Sequence, residues 1–141
     1  MKTHIHLFSI LFTLLFYFNT QAQTVPMWEP IGLTVTGNNQ IEGIEAWYSL
    51  SKCKGQAMVY LKFVNTTNSS ATIEWFDGIF TTELKWVKKE KAEDKKTLII
   101  PANSEVKADC TNATQIKNCT IFLNKILTPT QNVKRYGALN F

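Results

Sequence analysis

Three cysteines, Cys53, Cys110 and Cys119, carry the most reactive side chains of this sequence. In an oxidising compartment an odd number predicts one disulfide and one remaining thiol. Three pairings are possible, and the sequence alone does not choose among them. We favour Cys110–Cys119, because both residues border predicted neighbouring strands across the short polar loop 111–118, and Cys53 is then the odd cysteine. We expect the odd thiol to be buried and inert rather than linked covalently to a partner.

Histidine, a common general base, occurs only at His4 and His6. Both lie in an opening segment that we expect to be removed, so the remaining chain cannot form a Ser-His-Asp or Cys-His nucleophilic arrangement. Carboxylates remain, and glycoside hydrolysis needs two of them about 5–10 Å apart across a cleft. The acids in the strand-rich middle of the chain that can be paired on paper are Glu42, Glu45, Glu74, Asp77 and Glu83.

Other chemical motifs are lacking in this sequence. It has neither a glycine-rich phosphate loop nor the spacing of a calcium loop. Three thiolates without a nearby histidine and without paired spacing do not predict a zinc site. We therefore predict a protein that is not an enzyme and has no cofactor or metal. A small carboxylate-dependent hydrolase acting on extracellular glycans is the alternative.

Aromatic side chains supply a candidate binding face. Adjacent strand residues point to opposite sides of a sheet, so one ring of the pair Trp47-Tyr48 must face outward, as must one of Trp75-Phe76. An outward ring can stack on a sugar or on a partner protein, although core packing is the commoner role of aromatic residues in strands. We predict a binding face that includes Trp47, Tyr48, Tyr60 and Phe76.

The first 22 residues have the three parts of a secretory signal peptide. Lys2 provides the positive start, residues 7–18 form an apolar run, and the small residues Thr20 and Ala22 fit the positions before a cleavage site. The apolar run is shorter than the about 20 residues that a membrane-spanning helix needs. We predict cleavage after Ala22 and a single secreted or periplasmic domain, residues 23–141, with no stable membrane insertion.

The elements that must position these side chains are short runs rich in Val, Ile, Phe, Tyr, Trp and Thr, separated by polar turns. This rhythm is typical of an all-β sandwich or barrel. Residues 57–64 and 71–76 alternate apolar and polar side chains, and the polar segment 65–70 between them predicts an antiparallel hairpin. We predict an all-β fold of seven to nine strands in two packed antiparallel sheets, immunoglobulin-like in the loose sense.

Charge and strand length limit the remaining function classes. Fifteen Lys and Arg residues stand against eleven Asp and Glu residues, and the densest charged segment, 88–96, interleaves both signs. This pattern does not predict nucleic-acid binding, which needs a basic stripe.

A small outer-membrane β-barrel is a further alternative because Leu139 and Phe141 alternate at the C-terminus. The apolar runs are shorter than the roughly ten residues of its strands, however.

Four tripeptides match the acceptor pattern for N-linked sugars and begin at Asn65, Asn68, Asn112 and Asn118. The pattern matters only in a cell that glycosylates such sites. Because the chain is rich in Asn, Thr and Ser, the match is expected by chance, and we interpret these segments as turns.

Several short segments resemble small secreted β-sandwich proteins of Bacteroidetes-type bacteria. The similar segments lie at residues 51–53, 59–65, 73–75 and 98–110, and the signal ending in Ala22-Gln23 is similar as well. That group lacks an assigned activity, so the resemblance implies export from a bacterium and transfers no functional residues. The sequence as a whole predicts an exported, non-enzymatic binding or interaction module for a protein or glycan partner.

Overall fold

The structure is a computed structural model that describes residues 26–33 and 36–139. The predicted signal peptide and its cleavage site lie outside the described residues. Single 3₁₀ turns occur at Ala92–Asp94, Lys117–Cys119 and Leu123–Lys125. The strands are β1 (Glu29–Pro30), β2 (Gln40–Ile41), β3 (Ile44–Cys53), β4 (Gln56–Asn65), β5 (Ala71–Thr81), β6 (Trp86–Lys88), β7 (Lys96–Ile100), β8 (Ser104–Lys107), β9 (Thr120–Phe122) and β10 (Val133–Leu139).

The first sheet is built on the long β3–β4 hairpin, which pairs continuously from Ile44 opposite Asn65 to Cys53 opposite Gln56. Lys54 and Gly55 form its two-residue turn, and both have positive φ, as the twist of a tight hairpin requires. The short strands β1 and β2 pair with β3, while β8 and β9 pair with β4, all antiparallel.

The second sheet has β5 at its centre. The first half of β5 pairs with β7, and its second half pairs with β6 and β10, again antiparallel throughout. The β5–β6 connection turns at Leu84, which has a φ of 61°. Residues 80–87 therefore comprise the end of β5, a turn and the start of β6.

The two sheets pack face to face over an aromatic and aliphatic core. Phe63 of the first sheet contacts Trp75 of the second with ring centroids 5.0 Å apart, and Tyr48 contacts Tyr136 at 6.0 Å. Phe63 and Trp75 are fully buried. The predicted all-β fold with two antiparallel sheets is confirmed. The ten strands among the described residues exceed the predicted seven to nine because β1 and β2, each of two residues, have no sequence pattern of their own.

The predicted hairpin between residues 57–64 and 71–76 is wrong, because β4 and β5 belong to different sheets. The side chain of Asn65 holds the connection that leads from β4 in the first sheet to β5 in the second. Its side-chain nitrogen donates to the carbonyls of Ser69, Ile100 and Pro101 over 2.8–3.1 Å, and its side-chain oxygen accepts from the amide and hydroxyl of Thr67. The polar segment 65–70 is therefore organised by hydrogen bonds to the buried side-chain amide of Asn65, and the strand that follows it, β5, belongs to the second sheet.

Candidate functional site

The predicted aromatic binding face does not exist as one surface. Tyr48 and Tyr60 are buried, at 3% and 2% exposure, so neither ring can contribute to an exposed face. Trp47 and Phe76 are half-buried, but they lie on the outer sides of different sheets. The alternation argument holds for the pair Trp47-Tyr48, in which Trp47 is the outward ring.

Tyr60 lies on the outer side of its sheet, as the alternation predicts, yet it is buried. Burial raises the pKa of the Tyr60 hydroxyl, and the carboxylate of Asp109, in the segment after β8, raises it further. Asp109 organises that segment by accepting from the Thr111 amide and hydroxyl and from the Asn112 amide. Alternation identifies the side of a sheet but not what lies on top of it.

Trp47 belongs to a small cation–aromatic cluster on the outer side of the first sheet. The Lys62 ammonium lies 5.0 Å from the centre of the Trp47 ring and 5.3 Å from that of Trp28. Such contacts are attractive because the faces of the rings are electron-rich. A cation over a ring competes with a sugar for the same face, so this cluster is a weaker stacking platform than its composition indicates.

The outer side of the second sheet carries a similar cluster. The Arg135 guanidinium lies 5.0 Å from the Phe80 ring and 5.4 Å from the Trp86 ring, which is 38% exposed. Trp86 reaches across Gly137, where an added Cβ would lie 2.8 Å from the ring. Phe76 faces the same side by alternation with Trp75. On this side of the sheet the Phe80 and Trp86 rings are thus already engaged by a cation of the protein.

The five carboxylates considered for hydrolysis are not brought together in a cleft. Glu74 and Asp77 are three residues apart on β5 and therefore point to opposite sides of the sheet. Glu74 is exposed and pairs with Lys95 at 2.6 Å, and this partner lowers the pKa of the carboxyl. Glu42 and Glu83 are exposed, and Glu45 is half-buried. Of these five residues, only Asp77 lines either of two clefts in the described part of the chain.

Asp77 is the centre of a buried polar network. One carboxylate oxygen accepts from the Tyr136 hydroxyl at 2.7 Å and from the Trp75 indole at 3.3 Å. The other oxygen pairs with the Lys96 ammonium at 2.7 Å. Burial raises the pKa of Tyr136, and the adjacent Asp77 raises it further, so the hydroxyl stays protonated as the donor. Sequence reasoning gave Asp77 a place in a list of acids but missed Tyr136 and Lys96 as its partners.

The Asp77–Lys96 pair forms the floor of a cleft of about 460 Å³, which we call the side cleft. Its walls are two further lysines, Lys117 and Lys125, and the apolar side chains of Ile121 and Ile126. The two 3₁₀ turns that flank β9 place both lysines.

A larger cleft of about 720 Å³, the end cleft, lies between the tip of the β3–β4 hairpin and residues 123–133. Leu50 continues the inner face that Tyr48 and Ala46 begin, yet it is 40% exposed. The second sheet therefore leaves the inner face of the first uncovered at this end. The apolar lining residues are Leu50, Ala57, Met58, Leu123, Leu127, Pro129 and Val133.

Polar groups line the same cleft without dominating it. In the described part of the chain Lys52 is the one charged side chain that lines it, and Asn124, Gln131 and Asn132 add amides. An apolar cavity of 300–1,000 Å³ with a few polar groups is the usual form of a small-molecule site. No sequence pattern identified this cleft, because residues 123–133 carry no clear periodicity.

The cysteine pairing differs from the one we favoured. Cys53 and Cys110 form the disulfide, with Cα atoms 5.3 Å apart, and Cys119 is the free, buried cysteine. The pairing of Cys110 with Cys119 is therefore wrong, as is Cys53 as the odd residue. The segment after β8 folds back across β4 to the end of β3, and this return path brings residues 57 positions apart together. Burial raises the pKa of the Cys119 thiol to about 12.

Comparisons with known proteins add no relative to this description. No family model, curated protein or solved structure was found to match the chain. Within residues 26–33 and 36–139, no helix is long and apolar enough to cross a membrane. The same residues contain no group of three or more His, Cys, Asp or Glu side chains placed to hold a metal ion.

Proposed function

We propose that this protein is an exported, non-enzymatic binding module that holds a small molecule with an apolar body and a polar or anionic head in the end cleft. The observation that carries the proposal is the uncovered inner face around Leu50, in a cleft of about 720 Å³. Apolar surface left open to water is unfavourable by about 25 cal/mol per Å². A ligand that covers this surface therefore gains binding free energy from the burial of its apolar side chains.

The polar rim gives the ligand its orientation. Lys52 is exposed at the mouth and can approach an anionic head, while the amides of Asn124 and Gln131 can donate to or accept from a polar one. Leu123 and Leu127, one turn apart, line the opposite wall. The volume suits a small molecule rather than a folded partner.

Two further observations support export and the absence of catalysis. The Cys53–Cys110 disulfide supports an oxidising compartment such as the periplasm or the extracellular space. Both oxygens of Asp77 are engaged by partners of the protein, and among the described residues no second acid lines its cleft, whereas a hydrolase needs two converging carboxyl groups. A protein or glycan partner on a sheet face is less well supported, because cations of the protein lie over the outward rings.

The proposal is tested by the fluorescence of the neutral probe N-phenyl-1-naphthylamine and its displacement by decanoate. We expect saturable binding to the protein with its disulfide intact. The double variant Leu50→Gln, Leu127→Gln places polar groups in the apolar wall, so the dissociation constant should rise about tenfold or more.

The matched control is Ile99→Gln, which replaces an aliphatic strand residue that is 65% exposed and far from the end cleft in the topology. Its dissociation constant should equal that of the parent protein. Equal losses in both variants, or probe binding that does not saturate, would contradict the proposal.

A further inference from the structure

The side cleft concentrates positive charge around one carboxylate. Lys96, Lys117 and Lys125 line it together with Asp77. Because Asp77 neutralises one of the three ammonium groups, the cleft carries a net charge of about +2 at neutral pH. Like charges gathered at a concave surface repel each other and raise the local concentration of anions.

The three lysines have different roles. Lys96 is fixed, since its ammonium pairs with Asp77 at 2.7 Å and donates to the Asn118 carbonyl at 3.0 Å, and its side chain is only 16% exposed. Among the described residues, no carboxylate pairs with Lys117 or Lys125. The Lys125 ammonium lies over the Phe122 ring at 5.0 Å, at the border of the cleft. Two cations are therefore available to a ligand.

The floor of the cleft is held rigidly by the groups behind it. Tyr136 and Trp75 both donate to Asp77, and Trp75 also donates to the Tyr136 hydroxyl at 3.1 Å. The Asn118 side chain donates to the Thr97 carbonyl at 2.7 Å and ties the turn that carries Lys117 to β7. The floor beneath Lys117 and Lys125 is therefore ordered before a ligand arrives, which limits the conformational entropy lost on binding.

We propose that the side cleft is a second binding site, for a small organic anion whose carboxylate or phosphate meets Lys117 and Lys125. The apolar side chains of Ile121, Phe122 and Ile126 line the same cleft and favour a ligand with an apolar portion over a bare inorganic ion. This site does not depend on the end cleft, which has different lining residues and a single charged group.

The test is calorimetric titration of the full protein with benzoate and, separately, with neutral benzamide at low salt. We expect saturable binding of benzoate and none of benzamide. In Lys117→Gln, Lys125→Gln the dissociation constant of benzoate should rise about tenfold, the effect of two partly exposed charges. The charge-matched control Lys54→Gln, Lys85→Gln, on exposed turns outside the cleft, should leave it unchanged.

Salt dependence provides a second readout on the unmodified chain. The affinity for benzoate should fall several-fold between low salt and 0.5 M sodium chloride, because salt screens partly exposed charges. Equal binding of benzamide, or loss of affinity in the control variant equal to that in Lys117→Gln, Lys125→Gln, would overturn the proposal. The end-cleft variant Leu50→Gln, Leu127→Gln should bind benzoate normally, and a loss there would place the anion in the end cleft instead.

Discussion

The Tyr136 hydroxyl donates to Asp77 and accepts from Trp75 inside the second sheet. Tyr136→Phe removes both contacts while it keeps the ring, so the free energy of unfolding should fall by about 1–2 kcal/mol. Tyr60→Phe is the matched control, because the Tyr60 residue is as little exposed as Tyr136, at 2% against 3%. Among the described residues its hydroxyl donates to the Met58 sulfur alone, at 3.5 Å, and a thioether is a weak acceptor.

Urea unfolding monitored by tryptophan fluorescence measures both changes. Tyr60→Phe should lower stability by about 0.5 kcal/mol or less, since a weak hydrogen bond is lost. If the two variants were equally destabilised, the network around Asp77 would have no special part in holding the second sheet.

The Cys119 thiol is buried beside Asp77 and Lys96, and its burial raises the pKa to about 12 from 9.0. A thiol that is protonated in the folded state and ionises more readily when unfolded stabilises the fold below about pH 9. That contribution is lost as pH rises from 9 to 12, at about 1.4 kcal/mol per pH unit. Stability should therefore fall more steeply above pH 9 in the parent protein than in Cys119→Ala.

Urea unfolding at pH 7, 9 and 10.5 checks this sign. Tyr48 and Tyr136 also have raised pKa values, and burial is the main cause in each, but they are present in both proteins and cancel in the comparison. Parallel stability curves for the two proteins would show that the folded thiol ionises as an exposed one does.

At pH 7 we further expect Cys119 to resist alkylation until urea unfolds the chain.

At the scale of elements, the segment between β4 and β5 determines which sheet β5 joins. Asn65 is 1% exposed and makes five hydrogen bonds through its side chain. Asn65→Asp keeps the shape but removes the donors and places a charge among three carbonyls, so stability should fall by about 3 kcal/mol or more.

Asn68→Asp is the control in the same segment. Asn68 is exposed and accepts one hydrogen bond from Asn103 at 3.0 Å through its side-chain oxygen, which a carboxylate can also do. The change in unfolding free energy should stay within about 0.5 kcal/mol. Similar losses in both variants would mean that the crossing depends on the segment as a whole rather than on Asn65.

Side-chain alternation is a local property, and it separates the two sides of the strands correctly. Leu61 and Phe63 face the core. For the pair Trp47-Tyr48 the sequence left open which ring faces outward, and in the structure it is Trp47. The sequence did not predict that β4 and β5 separate, because a six-residue polar segment fits a hairpin and a crossing equally. The decisive hydrogen bonds of Asn65 reach Ile100 and Pro101, which are distant in sequence.

The candidate sites were less accessible to sequence reasoning. The Cys53–Cys110 pairing and both clefts depend on the path of residues 108–133, which contain few regular elements. That path is set by long-range contacts such as the Asn118 hydrogen bond to Thr97. Proximity in sequence favoured Cys110 with Cys119, and the return of the chain to β3 reversed that preference.

At the scale of the whole molecule, a measurement of mass tests the proposed export and the Cys53–Cys110 disulfide at the same time. The proposed export predicts that the intact mass of the protein recovered from its cells matches residues 23–141 lowered by two hydrogen atoms, since the expected signal peptide would be cleaved and one disulfide would form. A peptide map without reductant should join Cys53 to Cys110 and leave Cys119 free. A mass that includes residues 1–22, or a fully reduced chain, would contradict export to an oxidising compartment.

The end cleft exists because the β3–β4 hairpin extends beyond the cover of the second sheet, and residues 123–133 close only part of the gap. The measurement that tests the binding role most directly is an NMR titration of isotope-labelled protein with decanoate. We predict saturable shifts of the amides of residues 50–58 and 123–133, with the outer sides of both sheets unchanged. Shifts confined to the Trp47 or Trp86 clusters, or no saturable shift at the end cleft, would contradict the account.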